Sequence, residues 1–159
     1  MEARNSNESK HICDIADRDV VIRSMKENDV EQVMQIWLTT NIQAHDFIPA
    51  TYWKSQFDKV KQIIPASEVY ICEKSKEIVG FIGLAENYIA GIFVISDCQS
   101  YGIGKRLLDY AKALKSKLCL HVYQKNIRAI KFYQREGFVI ESENIDENTG
   151  ETEFLMKTL

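Results

Sequence analysis

The chain has 159 residues, of which 45% are hydrophobic and 27% are charged, so it can form one domain around one core and is not a low-complexity protein. Its 20 Lys and Arg residues against 23 Asp and Glu residues give a net charge of −3. A nucleic-acid partner would call for a basic excess and is not expected. No apolar run approaches the roughly 18 residues of a membrane helix, and the first residues lack a signal-peptide pattern. We therefore expect a cytoplasmic protein without membrane contact.

Hydrophobic periodicity divides the chain into a polar leader at 1–19, expected to be partly disordered, and one domain at 20–159. The domain is predicted to contain elements in the order β-α-α-β-β-β-α-β-α-β-β. Strands are predicted at 20–23, 68–73, 78–85, 88–95, 118–123, 138–140 and 153–156, and helices at about 28–39, 51–64, 103–114 and 126–136. Asn28 and Glu31 have the spacing of an N-cap and its returning carboxylate at the start of the first helix.

This order predicts an α+β (mixed α/β) fold, with helices on both faces of one sheet. A strand, a helix and a second strand follow one another in the C-terminal half, which implies local parallel pairing. Gly83 and Gly91 lie inside predicted strands and indicate bulges or a close approach of another backbone.

The loop from Gln99 to Arg106 follows a strand and opens a helix. A helix N-terminus presents unpaired N–H groups and a partial positive charge, so this loop could hold a phosphate, with Gly102 and Gly104 allowing a ligand close to the backbone. An ordinary strand-to-helix turn is the alternative. The dinucleotide-binding and Walker patterns do not fit, because positions 107 and 99 are Leu107 and Gln99 rather than glycine. The four cysteines and three histidines are too dispersed for a zinc motif, so no metal is expected.

The pattern Gln99-x-x-Gly102-x-Gly104 resembles the acyl-CoA pyrophosphate signature of the GNAT superfamily of N-acetyltransferases, in its small bacterial single-domain form. A second segment, from Asn126 through Phe132-Tyr133 to Gly137, is similar to the next segment of that family, and the order of elements also agrees. Ser96 departs from the pattern, because many members carry proline there.

The resemblance implies a mixed central sheet of about seven strands whose fourth and fifth strands splay apart to admit acetyl-CoA. The residues that it implies for cofactor binding are Ile92, Phe93, Val94, Gln99, Ser100, Tyr101, Gly102, Ile103, Gly104, Lys105, Asn126, Ala129 and Phe132.

The resemblance also implies direct attack of a primary amine on the acetyl thioester. Tyr133 matches the family's general acid for the departing thiolate, although it could instead be an aromatic packing partner. His121 is our candidate general base, because related enzymes often carry a catalytic carboxylate on this strand and imidazole suits the role. A core histidine bonded to backbone is the alternative for His121.

The acceptor is expected to be a small-molecule amine or an amine of a protein or peptide, held by His45, Phe47 and Tyr88. Family resemblance makes a homodimer compatible with the sequence. A non-catalytic acyl-CoA-binding sensor or regulatory protein, and an unrelated interaction domain, are the competing hypotheses.

Overall fold

The computed structural model describes residues 19–159. The leader predicted at 1–19 lies outside the described residues, apart from Asp19. Seven strands and four α-helices follow in the predicted order. They are β1 Val20–Ser24, α1 Val30–Ala44, α2 Ala50–Ile63, β2 Glu68–Lys74, β3 Glu77–Ala85, β4 Tyr88–Val94, α3 Ile103–Leu114, β5 Cys119–Tyr123, α4 Ile127–Arg135, β6 Phe138–Ile145 and β7 Thr152–Thr158.

The strands form one mixed sheet in the order β1-β2-β3-β4-β5-β7-β6. All neighbouring strands are antiparallel except β4 and β5, which are parallel and are linked through α3. The predicted fold class and the parallel pair in the C-terminal half are therefore confirmed.

Alternation along the strands places one hydrophobic cluster on each face of the sheet. The α1/α2 core contains Val33, Met34, Trp37, Trp53, Ile71 and Phe81, and the α3/α4 core contains Ile82, Leu107, Leu108, Leu120, Tyr133 and Met156. Because each cluster covers one face, a ligand that crosses the sheet must pass between two strands.

The first helix begins differently from the prediction. A 3₁₀ turn at Glu27–Asp29 precedes α1, and the Asp29 carboxylate accepts the Lys26 amide at 2.7 Å. Asn28 is therefore not the N-cap. Asp29 is also held by Arg23, whose Nη1 lies 2.7 Å from Asp29 Oδ2, so a long-range ion pair fixes this turn.

The first helix also ends later than predicted, at Ala44 rather than near residue 39. The Thr40 hydroxyl donates to the Ile36 carbonyl at 2.6 Å, and Thr40 and Asn41 are buried. Burial on the sheet side overrides the weak helix propensity of these polar residues.

Candidate active site

The strands β4 and β5 separate just after their first residues. Tyr88 pairs with Cys119 and Ile89 pairs with Leu120, and the ladder between these strands stops there. The next residue of β4, Ala90, is an extra residue opposite the Gly83–Leu84 step of β3, and such a bulge bends a strand and ends its pairing. Ile92, Phe93 and Val94, all predicted cofactor residues, therefore lie on an open strand edge.

This open edge is chemically suited to an extended ligand. The β4 residues from Ala90 to Val94 are half-buried or exposed, and on the β5 side their backbone groups have no ladder partner. Unpaired N–H and C=O groups of a strand can bond an amide-bearing chain laid beside them. The gap between β4 and β5 beyond this point, here called the wedge, therefore allows a ligand to pass from one face of the sheet to the other.

The predicted phosphate loop leads into the first turn of α3. Gly102 has φ of +84° and Ser100 has φ of +69°, and the left-handed turn aims the chain into the helix. The first helical hydrogen bond is donated by Arg106 to the Gly102 carbonyl at 3.0 Å. The amides of residues 103–105 consequently have no helical acceptor, and the helix N-terminus that they form attracts anions.

Arg128 of α4 braces this loop, a contact that the sequence did not predict. Its two terminal nitrogens donate to Gln99 Oε1 at 2.7 Å and to Ser100 Oγ at 2.9 Å. Gln99 Nε2 in turn donates to the Val94 carbonyl at 2.9 Å. One chain of hydrogen bonds thus connects α4, the loop and the end of β4.

Several other predicted cofactor residues meet at the same point. A Cβ on Gly104 would lie 3.7 Å from Phe132 Cζ and 4.0 Å from Val94 Cγ2, so this helix start packs closely on the wedge. Asn126 Oδ1 accepts the Ala129 amide at 3.3 Å and thereby caps α4.

Three further residues of this loop differ in which of their groups, side chain or backbone amide, is available to a ligand. Tyr101 is 52% exposed, whereas Ile103 is buried in the α3/α4 core, so Ile103 can offer only its backbone amide. The Lys105 ammonium is paired with Asp109 at 3.1 Å and Glu136 at 3.3 Å. These exposed ion pairs hold the ammonium toward the side of the helix, whereas the backbone amide of Lys105 has no helical acceptor and can bind a phosphate.

Tyr133 lies on the α3/α4 side of the sheet and is only 7% exposed. Its ring packs edge-on against Phe132 and Phe138, at centroid distances of 5.1 and 5.4 Å. Burial raises the pKa of the phenol well above its usual value, and Tyr88 adds to this effect. The raised pKa keeps the phenol protonated at neutral pH. Among residues 19–159 its hydroxyl has no hydrogen-bond partner, which leaves it available to a ligand.

His121 lies on the opposite face from Tyr133. Leu120 and Val122, its neighbours in β5, point into the α3/α4 core, so alternation turns His121 toward the α1/α2 side. Its Nδ1 lies 2.8 Å from the Tyr88 hydroxyl, and its side chain is exposed. The alternative of a core histidine bonded to backbone does not describe this residue.

The three predicted acceptor residues, His45, Phe47 and Tyr88, have different surroundings. His45 is half-buried and stacks on Trp53 with ring centroids 5.1 Å apart, and its Nδ1 lies 3.0 Å from the Asn41 carbonyl. Burial lowers its pKa, so the ring is neutral and serves mainly to pack α1 against α2. Tyr88, in contrast, faces the wedge beside His121.

Phe47 belongs to a pocket beside the wedge. The pocket has a volume of about 430 Å³ and lies between the α1–α2 connection and the β6–β7 hairpin, lined by Phe47, Ile48, Pro49, Thr51, Tyr52, Ser55, Asn148 and Thr149. Tyr123 borders it, because its ring contacts Phe47 at 5.8 Å and its hydroxyl donates to Asp146 at 2.6 Å. A pocket of this volume with polar and apolar walls can hold a small molecule or a side chain.

Two residues of this region were missed by the sequence analysis. Arg128 was hidden because its partners lie 28 and 29 residues away along the chain. Glu153 of β7 was hidden because only the sheet pairing brings it next to β5.

Within residues 19–159, no group of three or more His, Cys, Asp or Glu side chains could hold a metal ion. No helix in the same part of the chain is long and apolar enough to cross a membrane.

Comparison with known proteins identifies the family. Residues 65–140 match the family model described as an acetyltransferase (GNAT) domain. The peptidyl-lysine N-acetyltransferase YiaC of Escherichia coli (strain K12) is 33% identical over 122 residues, which cover 76% of this chain and 84% of YiaC.

Solved structures share the fold. The apo form of YjaB from Escherichia coli superposes with a TM-score of 0.79 at 22% identity, covering 88% of this chain and 97% of YjaB. Spermidine N-acetyltransferase from Vibrio cholerae, solved with CoA and spermine, superposes with a TM-score of 0.67 at 20% identity. The aligned part covers 90% of this chain and 96% of the Vibrio cholerae chain. The chain thus belongs to the GNAT superfamily, and it is an acetyl-CoA-dependent N-acetyltransferase.

Proposed function

We propose that this enzyme transfers the acetyl group of acetyl-CoA to the ε-amine of a lysine in a peptide or protein, by direct attack in a ternary complex. The observation that carries the proposal is the wedge between β4 and β5, which has the Tyr88–His121 pair on one face and the Tyr133 phenol on the other. The choice of lysine is supported by YiaC, which is named a peptidyl-lysine N-acetyltransferase, and by the pocket at Phe47 and Tyr52, which opens on the α1/α2 side of the sheet where a side chain could enter.

Acetyl-CoA would enter from the α3/α4 face. Its pyrophosphate binds the free amides at the start of α3 and the loop at 99–102, and its pantetheine arm pairs with the open edge at Ile92–Val94. Phe132, Ala129 and Asn126 form the adjoining wall. The backbone N–H groups beside the bulge are the donors available to the thioester oxygen as it becomes negative.

The amine arrives on the other face as an ammonium ion. A lysine ε-ammonium has a pKa of about 10.4, so at neutral pH a base must remove a proton before nitrogen can attack. His121 accepts that proton, and the hydrogen bond between its Nδ1 and the Tyr88 hydroxyl fixes the ring orientation. The nitrogen then bonds to the thioester carbon.

Tyr133 acts on the leaving sulfur as the carbon–sulfur bond breaks. An alkyl thiol has a pKa of about 8.5, lower than that of the buried phenol, so complete proton transfer from Tyr133 alone is uphill. The phenol therefore donates a hydrogen bond to the thiolate, and the second proton lost by the nitrogen completes CoA–SH. Burial keeps the phenol protonated throughout.

A comparison of acceptors tests the choice of lysine. The enzyme is incubated with acetyl-CoA and either an Nα-blocked lysine peptide, the same peptide with a free N-terminus and arginine in place of lysine, or spermidine, and mass spectrometry locates the acetyl group. Acetylation of the ε-nitrogen of the blocked peptide supports the proposal. Acetylation of spermidine alone would favour a polyamine enzyme, in line with the Vibrio cholerae neighbour.

Location in the cytoplasm and a homodimeric state stay predictions. Both are tested with the full chain, by fractionation of its source cells and by light scattering.

A further inference from the structure

Glu153 stands out among the half-buried glutamates of residues 19–159. Glu68, Glu73, Glu136 and Glu151 each have a Lys or Arg nitrogen within 3.3 Å. Glu153 is half-buried as well, but it has no ion pair or hydrogen-bond partner among the described residues. A partly buried carboxylate without a nearby cation destabilises the folded protein, which indicates that a ligand supplies the cation.

The sheet places this carboxylate on the acceptor side of the wedge. Glu153 pairs directly with Tyr123, and His121 pairs with Leu155, so Glu153 and His121 project from the same face, two residues apart along the ladder. Such positions are separated by roughly 7 Å. Burial raises the pKa of the Glu153 carboxyl, and nearby His121 opposes that rise. Burial raises the pKa of Tyr88, and the Glu153 charge adds to this effect.

A separation of this size fits an alkylammonium group between the two side chains. An ammonium bonded to a carboxylate lies about 2.8 Å from its oxygen, which leaves another of its N–H groups directed toward the imidazole. Nearby Asp146 cannot take this role as readily, because its carboxylate already accepts from the Tyr123 hydroxyl and the Asn148 amide.

We propose that Glu153 binds the ε-ammonium of the acceptor lysine and holds it beside the Tyr88–His121 pair. The proposal rests on the function proposed above. Glu153 forms no covalent bond and keeps its charge, while the ammonium proton goes to His121 and the freed amine attacks. The site therefore selects acceptors that arrive as cations.

The test compares Glu153→Gln with Glu143→Gln. Glu143 lies on the same hairpin but is exposed and pairs with Phe154, which places it on the other face. For Glu153→Gln we expect the KM for an Nα-blocked lysine peptide to rise about tenfold or more, with kcat changed less and the KM for acetyl-CoA unaltered. Glu143→Gln should match the wild type in all three constants.

The dependence of the peptide KM on ionic strength distinguishes a charge that binds the ligand from a residue that only supports the fold. The KM of the wild type for the peptide should rise with ionic strength, and this slope should flatten in Glu153→Gln because the charge pair is gone. Glu153→Asp, which keeps the charge on a shorter side chain, should give an intermediate KM and retain the slope, and it carries the test if the Gln variant does not fold.

The outcomes separate the two proposals. If the wild type acetylates the lysine peptide and Glu153→Gln has the same peptide KM and salt slope, the role of Glu153 is refuted while the proposed function stands. If the wild type acetylates no lysine peptide, the proposed function fails and the role of Glu153 in binding lysine falls with it.

Discussion

At the scale of single residues, the base that we propose depends on the hydrogen bond between His121 and Tyr88, which holds an exposed imidazole in one orientation. The Tyr88 hydroxyl contacts Nδ1 at 2.8 Å, which leaves Nε2 as the nitrogen that can face an amine. A neutral imidazole that accepts a proton at Nε2 carries its own proton on Nδ1, so in the proposed mechanism the Nδ1–H group donates to the Tyr88 hydroxyl oxygen.

Replacing His121 by Gln should lower kcat/KM for a lysine peptide about 100-fold near neutral pH. The deficit should shrink as the pH rises toward about 10, because the acceptor amine then loses its proton without help. A pH profile of kcat/KM for both proteins checks this. Tyr88→Phe should change the profile in the same direction but less, and a deficit that is constant from pH 7 to 10 would contradict the role of His121.

At this scale the sequence named candidate residues, but it could not assign their contacts. The family resemblance singled out Tyr133 and His121, and strand alternation left the face of His121 open; the structure places the two residues on opposite faces of the sheet beside the wedge. His45 shows the limit, because its aromatic neighbours Trp53 and Tyr123 come from α2 and β5. Such packing is decided by tertiary structure and leaves no local sequence signal.

At the scale of elements, the wedge is a consequence of one extra residue. The bulge at Ala90 turns β4 away from β5 after two pairs, and the loop that follows is positioned against α4 by Arg128. The glycine pattern in β3 and β4 predicted irregularity in these strands. The position of the bulge could not be predicted, because it depends on the register of β3 against β4.

Arg128→Ala should raise the KM for acetyl-CoA by about fivefold to tenfold, because the loop at 99–102 loses two charge-assisted hydrogen bonds. The KM for the lysine peptide should change little. Initial rates with each substrate varied separately measure both constants. Arg135→Ala, at the exposed far end of the same helix, is the control, and an equal effect of the two variants would show that general charge rather than the brace matters.

At the scale of the whole molecule, each face of the sheet has its own core, and the proposed function takes acetyl-CoA on the α3/α4 face and the acceptor on the α1/α2 face. The ion pairs of Arg23 connect the edge of this framework. Arg23 bonds Asp29 ahead of α1 and Glu73 in β2, and its hydrogen bonds lower the pKa of Asp29. A carboxyl with a lowered folded pKa stabilises the fold above its unfolded pKa and loses that contribution as the pH falls.

Arg23→Gln should therefore destabilise the protein most at neutral pH. The gap in unfolding free energy between wild type and variant should begin to narrow below about pH 4, where Asp29 takes up a proton in the unfolded chain, and should close at the lower pH where the folded carboxyl is protonated too. Urea unfolding at several pH values measures this gap. The control is Lys61→Gln, which removes an exposed ion pair with Glu31 and should have little effect on the unfolding free energy at any pH. If the loss of unfolding free energy in Arg23→Gln does not depend on pH, the ion pair with Asp29 does not have this role.

The measurement that tests the central claim most directly is the steady-state rate of acetyl transfer to an Nα-blocked lysine peptide, for wild type and Tyr133→Phe side by side. The variant keeps the ring that packs on Phe132 and Phe138 and loses only the hydroxyl. We predict one free CoA thiol for each ε-acetyl-lysine formed by the wild type. Because the variant lacks the hydrogen-bond donor to the leaving thiolate, its kcat should fall about 100-fold while the KM for acetyl-CoA is unchanged. Transfer at the full rate by Tyr133→Phe would contradict the assignment of chemistry to this wedge.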